Sequence, residues 1–124
     1  MLTPTALAFI GDAAQSLFVR KLILSRGGKD TLHIASSRYV NATAQAAAFD
    51  ELAEKKVFTA EENEIARRAK NAHLHSRAKG ASPSEYHKAT ALEAVIGYLE
   101  LTESFERRDF ILTLCVDVID NKPL

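Results

Sequence analysis

Two acidic residues in apolar stretches are the side chains of this 124-residue chain best suited to chemistry. Asp12 is the only charged residue in ALAFIGDAAQSLFV (residues 6–19), and Glu93 is the only charged residue in ATALEAVIGYL (residues 89–99). A carboxylate is costly to remove from water unless something pairs with it or uses it. We therefore expect both acids to bear a desolvation cost that a partner or a ligand offsets.

A glycine accompanies each of these acids. Gly11 directly precedes Asp12, and Gly97 follows Glu93 by one helical turn. A glycine inside a helix costs about 1 kcal/mol relative to alanine, so its presence favours the close approach of another backbone. Two helices that cross at these glycines would bring Asp12 and Glu93 together.

Three kinds of site are compatible with such a pair of carboxylates. Two acids in contact repel each other, so either one is protonated or a cation lies between them. Oxygen ligands without metal-spaced His or Cys favour Mg²⁺, which takes one or two protein carboxylates and completes its shell with water and phosphate. A glycosidase-type acid pair is the second possibility, although the chain has no Trp and these helices offer no aromatic platform for a sugar. In the third, each acid pairs separately with a basic residue or a helix N-terminus.

The charge distribution indicates an anionic partner. The net charge is zero, but residues 50–64 hold six acidic and two basic residues, whereas residues 67–79 (RRAKNAHLHSRAK) hold five basic residues and no acid. This local asymmetry is typical of a surface that binds nucleic acid, and a merely solvated loop is the alternative. None of the four histidines has metal-ligand spacing: His33, His73, His75 and His87.

The elements that must position these residues are all helical. No segment alternates apolar and polar residues as a strand does, whereas helix-capping signals recur along the chain. The pattern predicts an all-α protein with helices over about 4–25, 31–38, 42–55, 60–72, 83–101 and 103–119, and a mobile loop over 73–81. With a single cysteine, Cys115, on an apolar helical stripe and no signal peptide or membrane-length apolar run, we expect one domain (residues 1–124) in the cytoplasm.

The two acidic segments resemble a known family. FIGDA and LEAVIGYLEL resemble the two signature segments of the ribonuclease III catalytic domain, and LHIASSRYVNATAQA (32–46) and RRAKNA (67–72) match between them. The spacing is similar to that of the short Mini-ribonuclease III branch, which lacks a double-stranded-RNA-binding domain. The resemblance implies an all-α ribonuclease III fold of five to seven helices that works as a homodimer.

The resemblance also implies an activity and its residues. Mg²⁺ held by Asp12 and Glu93, the catalytic and metal-binding acids, would support hydrolysis of double-stranded RNA to 3′-hydroxyl and 5′-phosphate ends. The family's role in bacteria is to mature the ends of the 23S ribosomal RNA precursor. Ala8 and Thr90 stand where full-length enzymes of the family carry two further acids.

The sequence also indicates two binding surfaces, one for RNA and one for a second subunit. Duplex RNA is bound mainly through its phosphates and 2′-hydroxyls, and the candidate contacts are Arg38, Arg67, Arg68, Lys70, Asn71, Arg77 and Lys79. The first helix carries apolar residues on more than one side, which predicts a face for a second subunit: Leu7, Phe9, Ile10, Leu17 and Phe18. Two other interpretations of the function stay open. One is an inactive ribonuclease III fold that binds RNA or the ribosome, and the other is an unrelated helical interaction domain.

Overall fold

The structure is a computed structural model that describes residues 2–27, 31–72 and 82–121. The predicted all-α class is confirmed, since every regular element in these ranges is a helix. The six helices are α1 (Pro4–Ser25), α2 (Leu32–Ser37), α3 (Ala42–Glu54), α4 (Ala60–Asn71), α5 (Pro83–Leu101) and α6 (Phe105–Ile119). Their ends agree with the predicted ends to within one or two residues.

Local capping residues account for where most of these helices begin. The Thr3 hydroxyl accepts a hydrogen bond from the Ala6 amide ahead of α1, and the Asn41 side chain does the same for α3. α4 and α5 each open with a complete capping box, in which a hydroxyl and a glutamate three residues later satisfy each other's backbone amides. The helix-capping signals in the sequence therefore correspond to hydrogen bonds in the structure.

Helix α5 is the centre of the molecule, with α1, α3, α4 and α6 packed around it. Leu92, Val95 and Ile96 are fully buried, as expected for a helix whose central part is apolar on most sides. Cys115 of α6 lies in the same core beside Ile111, as predicted, and burial raises the pKa of its thiol to about 12. No helix in the described ranges has the length and apolar character to cross a membrane.

The crossing of α1 and α5 requires glycine on both helices. A Cβ atom added to Gly11 would stand 1.7 Å from the carbonyl oxygen of Glu93, and one added to Gly97 would stand 1.8 Å from the carbonyl oxygen of Leu7. Both obstacles are backbone atoms, so no side-chain movement could relieve the clash. The predicted close approach at these glycines is confirmed, and it fixes the distance between the helices that carry the two acids.

Candidate active site

The structure brings Asp12 and Glu93 together at the helix crossing. The backbone carbonyl oxygen of Glu93 packs against Gly11. The Glu93 side chain is close enough to the Asp12 carboxylate to form a hydrogen bond with it and to be affected by its negative charge. Asp12 follows Gly11 directly on α1, so the contact that brings the backbones together also brings the carboxylates together. The pairing is thus a consequence of the small residues at the crossing.

The two acids differ in their exposure to solvent. Glu93 is half-buried, whereas Asp12 is exposed on the surface of α1. The expectation that Asp12 bears a desolvation cost is therefore wrong, because the apolar residues beside it do not all face the core: Phe9 is 77% exposed and Leu17 is 56% exposed. The desolvation cost falls on Glu93.

The environment of Glu93 disfavours its charged form. Burial, the largest cause, and then the negative charge of Asp12 raise the pKa of Glu93 to about 8. A hydrogen bond donated by the Gln45 amide to Glu93 Oε2, at 3.4 Å, acts in the opposite direction but only in part. In the absence of a cation, Glu93 therefore holds a proton at neutral pH.

No basic side chain neutralises this pair in the part of the chain that the structure describes. The ion pairs in this part of the chain do not include Asp12 or Glu93. The alternative in which each acid pairs separately with a basic residue therefore has no support among the described residues. The same part holds no cluster of three or more His, Cys, Asp or Glu side chains able to bind a metal. Two carboxylates alone fit a Mg²⁺ ion that keeps several waters, since a divalent cation would offset both their repulsion and the burial of Glu93.

The positions of the family's two further acids contribute no ligand. Ala8 is buried, and the buried Thr90 hydroxyl donates a hydrogen bond to the Tyr86 carbonyl oxygen, at 2.9 Å, within its own helix. Of these four positions, only Asp12 and Glu93 thus carry an acid at the site.

Two buried glutamines behind Glu93 were not predicted from the sequence. Gln15 on α1 is 2% exposed and Gln45 on α3 is 4% exposed, and the Gln45 amide donates a hydrogen bond to Gln15 Oε1 at 2.7 Å. A signal for Gln15 is present in the sequence, because it continues the buried stripe of Gly11 and Val19 at four-residue intervals. An uncharged amide in that stripe needs a partner.

Four of the RNA-binding candidates lie together at the carboxyl end of α4: Arg67, Arg68, Lys70 and Asn71. Arg67 is exposed and forms a bidentate ion pair with Glu64, at 2.6 and 3.0 Å. The Lys70 ammonium lies 5.5 Å from the centre of the Phe49 ring. Arg67 therefore already has an acidic partner one turn away, and an RNA-binding role for these four residues stays a prediction.

Arg38 lies in a different cluster at the far end of α1. It pairs with Asp120 at 3.2 Å, and the same carboxylate accepts hydrogen bonds from Arg26 at 3.0 Å and from the Tyr39 hydroxyl at 2.7 Å. Arg26 follows Asp12 by fourteen residues, which corresponds to about 20 Å along a helix. Arg38 thus lies well away from the two acids.

The remaining candidates cannot be placed. Arg77 and Lys79 lie outside the described residues, as do His73, His75 and the predicted loop over 73–81.

The chain is similar to known proteins over most of its length. The profile of the ribonuclease III domain matches residues 5–104, which include both acids. The chain is 37% identical to Mini-ribonuclease 3 of Streptococcus pneumoniae (93% of this chain and 91% of that protein) and 40% identical to Mini-ribonuclease 3 of Symbiobacterium thermophilum (96% and 92%). A crystal structure of a protein from Fusobacterium nucleatum superposes with a TM-score of 0.81 at 32% identity, over 93% of this chain and 92% of that one.

The chain therefore belongs to the ribonuclease III family. Its similarity to the curated Mini-ribonuclease 3 proteins extends over almost its whole length. The predicted family, fold and enzyme class, an endoribonuclease, are confirmed at this level.

Proposed function

We propose that this chain is a Mg²⁺-dependent endoribonuclease that cleaves double-stranded RNA in the cytoplasm by phosphodiester hydrolysis and matures the ends of 23S ribosomal RNA precursor. The observation that carries the proposal is the contact of Asp12 with Glu93 at the Gly11–Gly97 crossing, where no described basic side chain offsets their charge. A structural pair of acids would be destabilising at this place. A pair that binds a cation is stabilised by its ligand.

Asp12 and Glu93 would hold the ion, and Mg²⁺ bound there would supply an activated water and polarise the scissile phosphate. Asp12 is exposed and would be accessible to a phosphate, whereas Glu93 is half-buried. Glu93 must release its proton before it binds a cation, so cleavage should increase with pH toward 8.

The basic end of α4 supports the proposal of a duplex RNA substrate. Arg67, Arg68, Lys70 and Asn71 provide phosphate-binding chemistry at the carboxyl end of α4. Arg38 offers a second contact beside Arg26, which lies about 20 Å along the helix axis from Asp12. We include Arg77 and Lys79 in this surface from the sequence. Because few basic side chains are available in a chain of zero net charge, binding should be weak at physiological salt, and its salt dependence should scale with the number of phosphates contacted.

A homodimer is the second part of the proposal. Phe9 and Leu17 are exposed on α1, and Phe9 precedes Asp12 by three residues, so the two are neighbours on the helix surface. A second subunit covering Phe9 would therefore border the acidic pair. Phe9→Glu should convert the dimer to a monomer in analytical ultracentrifugation, whereas Phe110→Glu, a change at an exposed phenylalanine on α6, should not.

Cleavage of a duplex RNA that contains the ribosomal precursor stem tests the activity directly. With Mg²⁺ we expect cuts that leave 5′-phosphates, and with EDTA none. Asp12→Asn and Glu93→Gln should each lower the rate at least about 10³-fold, as expected when a ligand of an activating metal is lost. Glu106→Gln, which alters an exposed acid in the first turn of α6, is the matched control.

The outcomes separate the proposals. Absence of cleavage with Mg²⁺ across several duplexes would refute the nuclease function, and tight binding without cleavage would favour the inactive RNA-binding alternative. Unchanged cleavage by both acid variants would refute the assignment of the site.

A further inference from the structure

The glutamines behind the acidic pair form a bridge between three helices. Gln15 belongs to α1, Gln45 to α3 and Glu93 to α5, and their side chains meet where these helices pack. Gln15 and Gln45 are almost completely buried, and transfer of an amide from water without a hydrogen bond costs at least about 1–3 kcal/mol. Apolar residues at these two positions would pack without this desolvation cost, so the presence of amides requires an explanation.

One nitrogen atom makes both contacts of the bridge. Gln45 Nε2 donates to Gln15 Oε1 at 2.7 Å and to Glu93 Oε2 at 3.4 Å, which uses the two hydrogens of a primary amide. In this orientation each hydrogen of the Gln45 amide faces an oxygen atom, and the charged form of Glu93, which binds a cation, can only accept such a hydrogen bond.

The short bond to Gln15 holds Gln45 in place. A free glutamine side chain loses up to about 2 kcal/mol of rotational entropy when it is fixed, and the Gln15 contact meets that cost before any ligand binds. Among the described residues, only Asp12 and Gln45 form hydrogen bonds with the Glu93 side chain. Gln45 is thus the uncharged group that can orient Glu93 without neutralising it.

We propose that Gln45 is a positioning residue that holds the Glu93 carboxylate in the orientation required for a divalent cation, and that Gln15 anchors Gln45. The inference rests on the proposed metal-dependent function. Groups that orient metal ligands in this way change metal affinity or activity by about 10- to 100-fold when they are removed.

Binding of Mn²⁺ alone, measured by electron paramagnetic resonance without RNA, provides the test. Gln45→Met keeps the length of the side chain and removes the amide, and it should raise the Mn²⁺ Kd about tenfold. Gln45→Asn keeps an amide but shortens its reach. We expect it to raise the Mn²⁺ Kd by a similar factor while disturbing the core less. Gln15→Met, which removes only the anchor, should produce a smaller increase.

A control separates positioning from general loss of stability. Glu62→Gln disrupts a buried ion pair between α4 and α6, so it should lower the Tm without changing the Mn²⁺ Kd of the folded protein. A Kd within twofold of the unsubstituted value in either folded Gln45 variant would overturn the inference. So would an increase in Kd of the same size in Glu62→Gln.

The test also distinguishes this inference from the proposed function. If the unsubstituted chain binds Mn²⁺ and the Gln45 variants bind it more weakly, the positioning role stands even when no RNA is cleaved. If the unsubstituted chain binds no Mn²⁺, the positioning role is refuted together with the metal site.

Discussion

Glu62 and Glu93 are two carboxylates withdrawn from water in the same small protein, and their surroundings are opposite in charge. Glu62 is 2% exposed and receives hydrogen bonds from Arg107 at 2.8 and 2.9 Å. Its Oε1 also accepts a bond from the Thr59 amide at the start of α4. Glu93 instead has an acid, Asp12, and an uncharged amide, Gln45, as its neighbours.

The difference appears in the pKa of each group. Burial alone would raise the pKa of Glu62, but the hydrogen bonds from Arg107 and Thr59 outweigh it and hold the pKa below its ordinary value. Burial and the Asp12 charge raise the pKa of Glu93 to about 8, because no guanidinium offsets them. The fold neutralises Glu62 with its own residues, whereas the charged form of Glu93 requires a cation from outside.

The largest expected effect is at the crossing that creates the Glu93 environment. Gly11→Ala would place Cβ 1.7 Å from the Glu93 carbonyl oxygen, so α1 and α5 must separate. We expect a loss of about 5 kcal/mol or more, comparable with the whole stability of a small domain, measured by urea unfolding. Gly27→Ala is the matched control, since a Cβ there meets nothing within 4 Å and the positive φ of 65° should cost only about 1 kcal/mol. Equal losses in the two variants would contradict a steric role for Gly11.

Neutralising each glutamate in turn tests the comparison directly. Glu62→Gln leaves the half-buried Arg107 guanidinium without its counter-charge and should cost about 3 kcal/mol, as when one partner of a buried pair is removed. Glu93→Gln removes no ion pair, so at pH 8 it should leave stability unchanged or increase it. Equilibrium urea unfolding of both variants at pH 8 with EDTA gives the two values. Destabilisation of similar size in both would show that Glu93 also has a structural partner.

The pH dependence of stability should be smaller but more specific. An unfolded glutamate ionises near pH 4.3, whereas folded Glu93 holds its proton to about pH 8. Between these values the folded state binds more protons than the unfolded state, so this group lowers the free energy of unfolding as pH rises. We expect Glu93 to contribute a loss of about 2 kcal/mol from pH 5 to pH 6.5 in EDTA.

The matched measurement uses Glu93→Gln over the same pH series. The other titrating groups are common to both proteins, so the difference between the two curves isolates Glu93. Parallel curves would mean that Glu93 ionises in the folded protein as readily as in the unfolded chain.

The smallest expected effect is stabilisation by the cation itself. At pH 8, Mg²⁺ at ten times its Kd should increase stability by about 1.4 kcal/mol, because it binds the folded state only. The increase should disappear in Glu93→Gln and persist in Glu62→Gln, as measured by the Tm. Stabilisation that survives in Glu93→Gln would assign the ion to another place.

The sequence predicts the helices well because their signals are local. Thr59 and Ser82 each stand three residues before a glutamate, and the resulting capping boxes lie where the pattern indicates. The meeting of Asp12 and Glu93 was also predictable, because a glycine beside each acid has a steric meaning that does not depend on the rest of the fold.

Contacts between distant residues were not predictable in the same way. Arg26 and Asp120 are 94 positions apart, and Glu62 and Arg107 are 45 apart. A charged residue on a helix has the same local pattern whether it faces water or a partner from another helix. Gln45 was missed for this reason, since its Ala-rich surroundings are equally typical of an exposed helix.

By itself, the sequence determined the all-α class, the limits of the helices to within about two residues, the family, and the two acids with the glycines that let their helices approach. These features depend on residue type and short spacing, which act within one or two turns. Only the tertiary structure decided that Glu93 is withdrawn from water while Asp12 is exposed, and that Gln15 and Gln45 lie behind Glu93. The physical reason is that burial and electrostatic environment are properties of the packed helices, and they depend on which faces of α1, α3 and α5 meet.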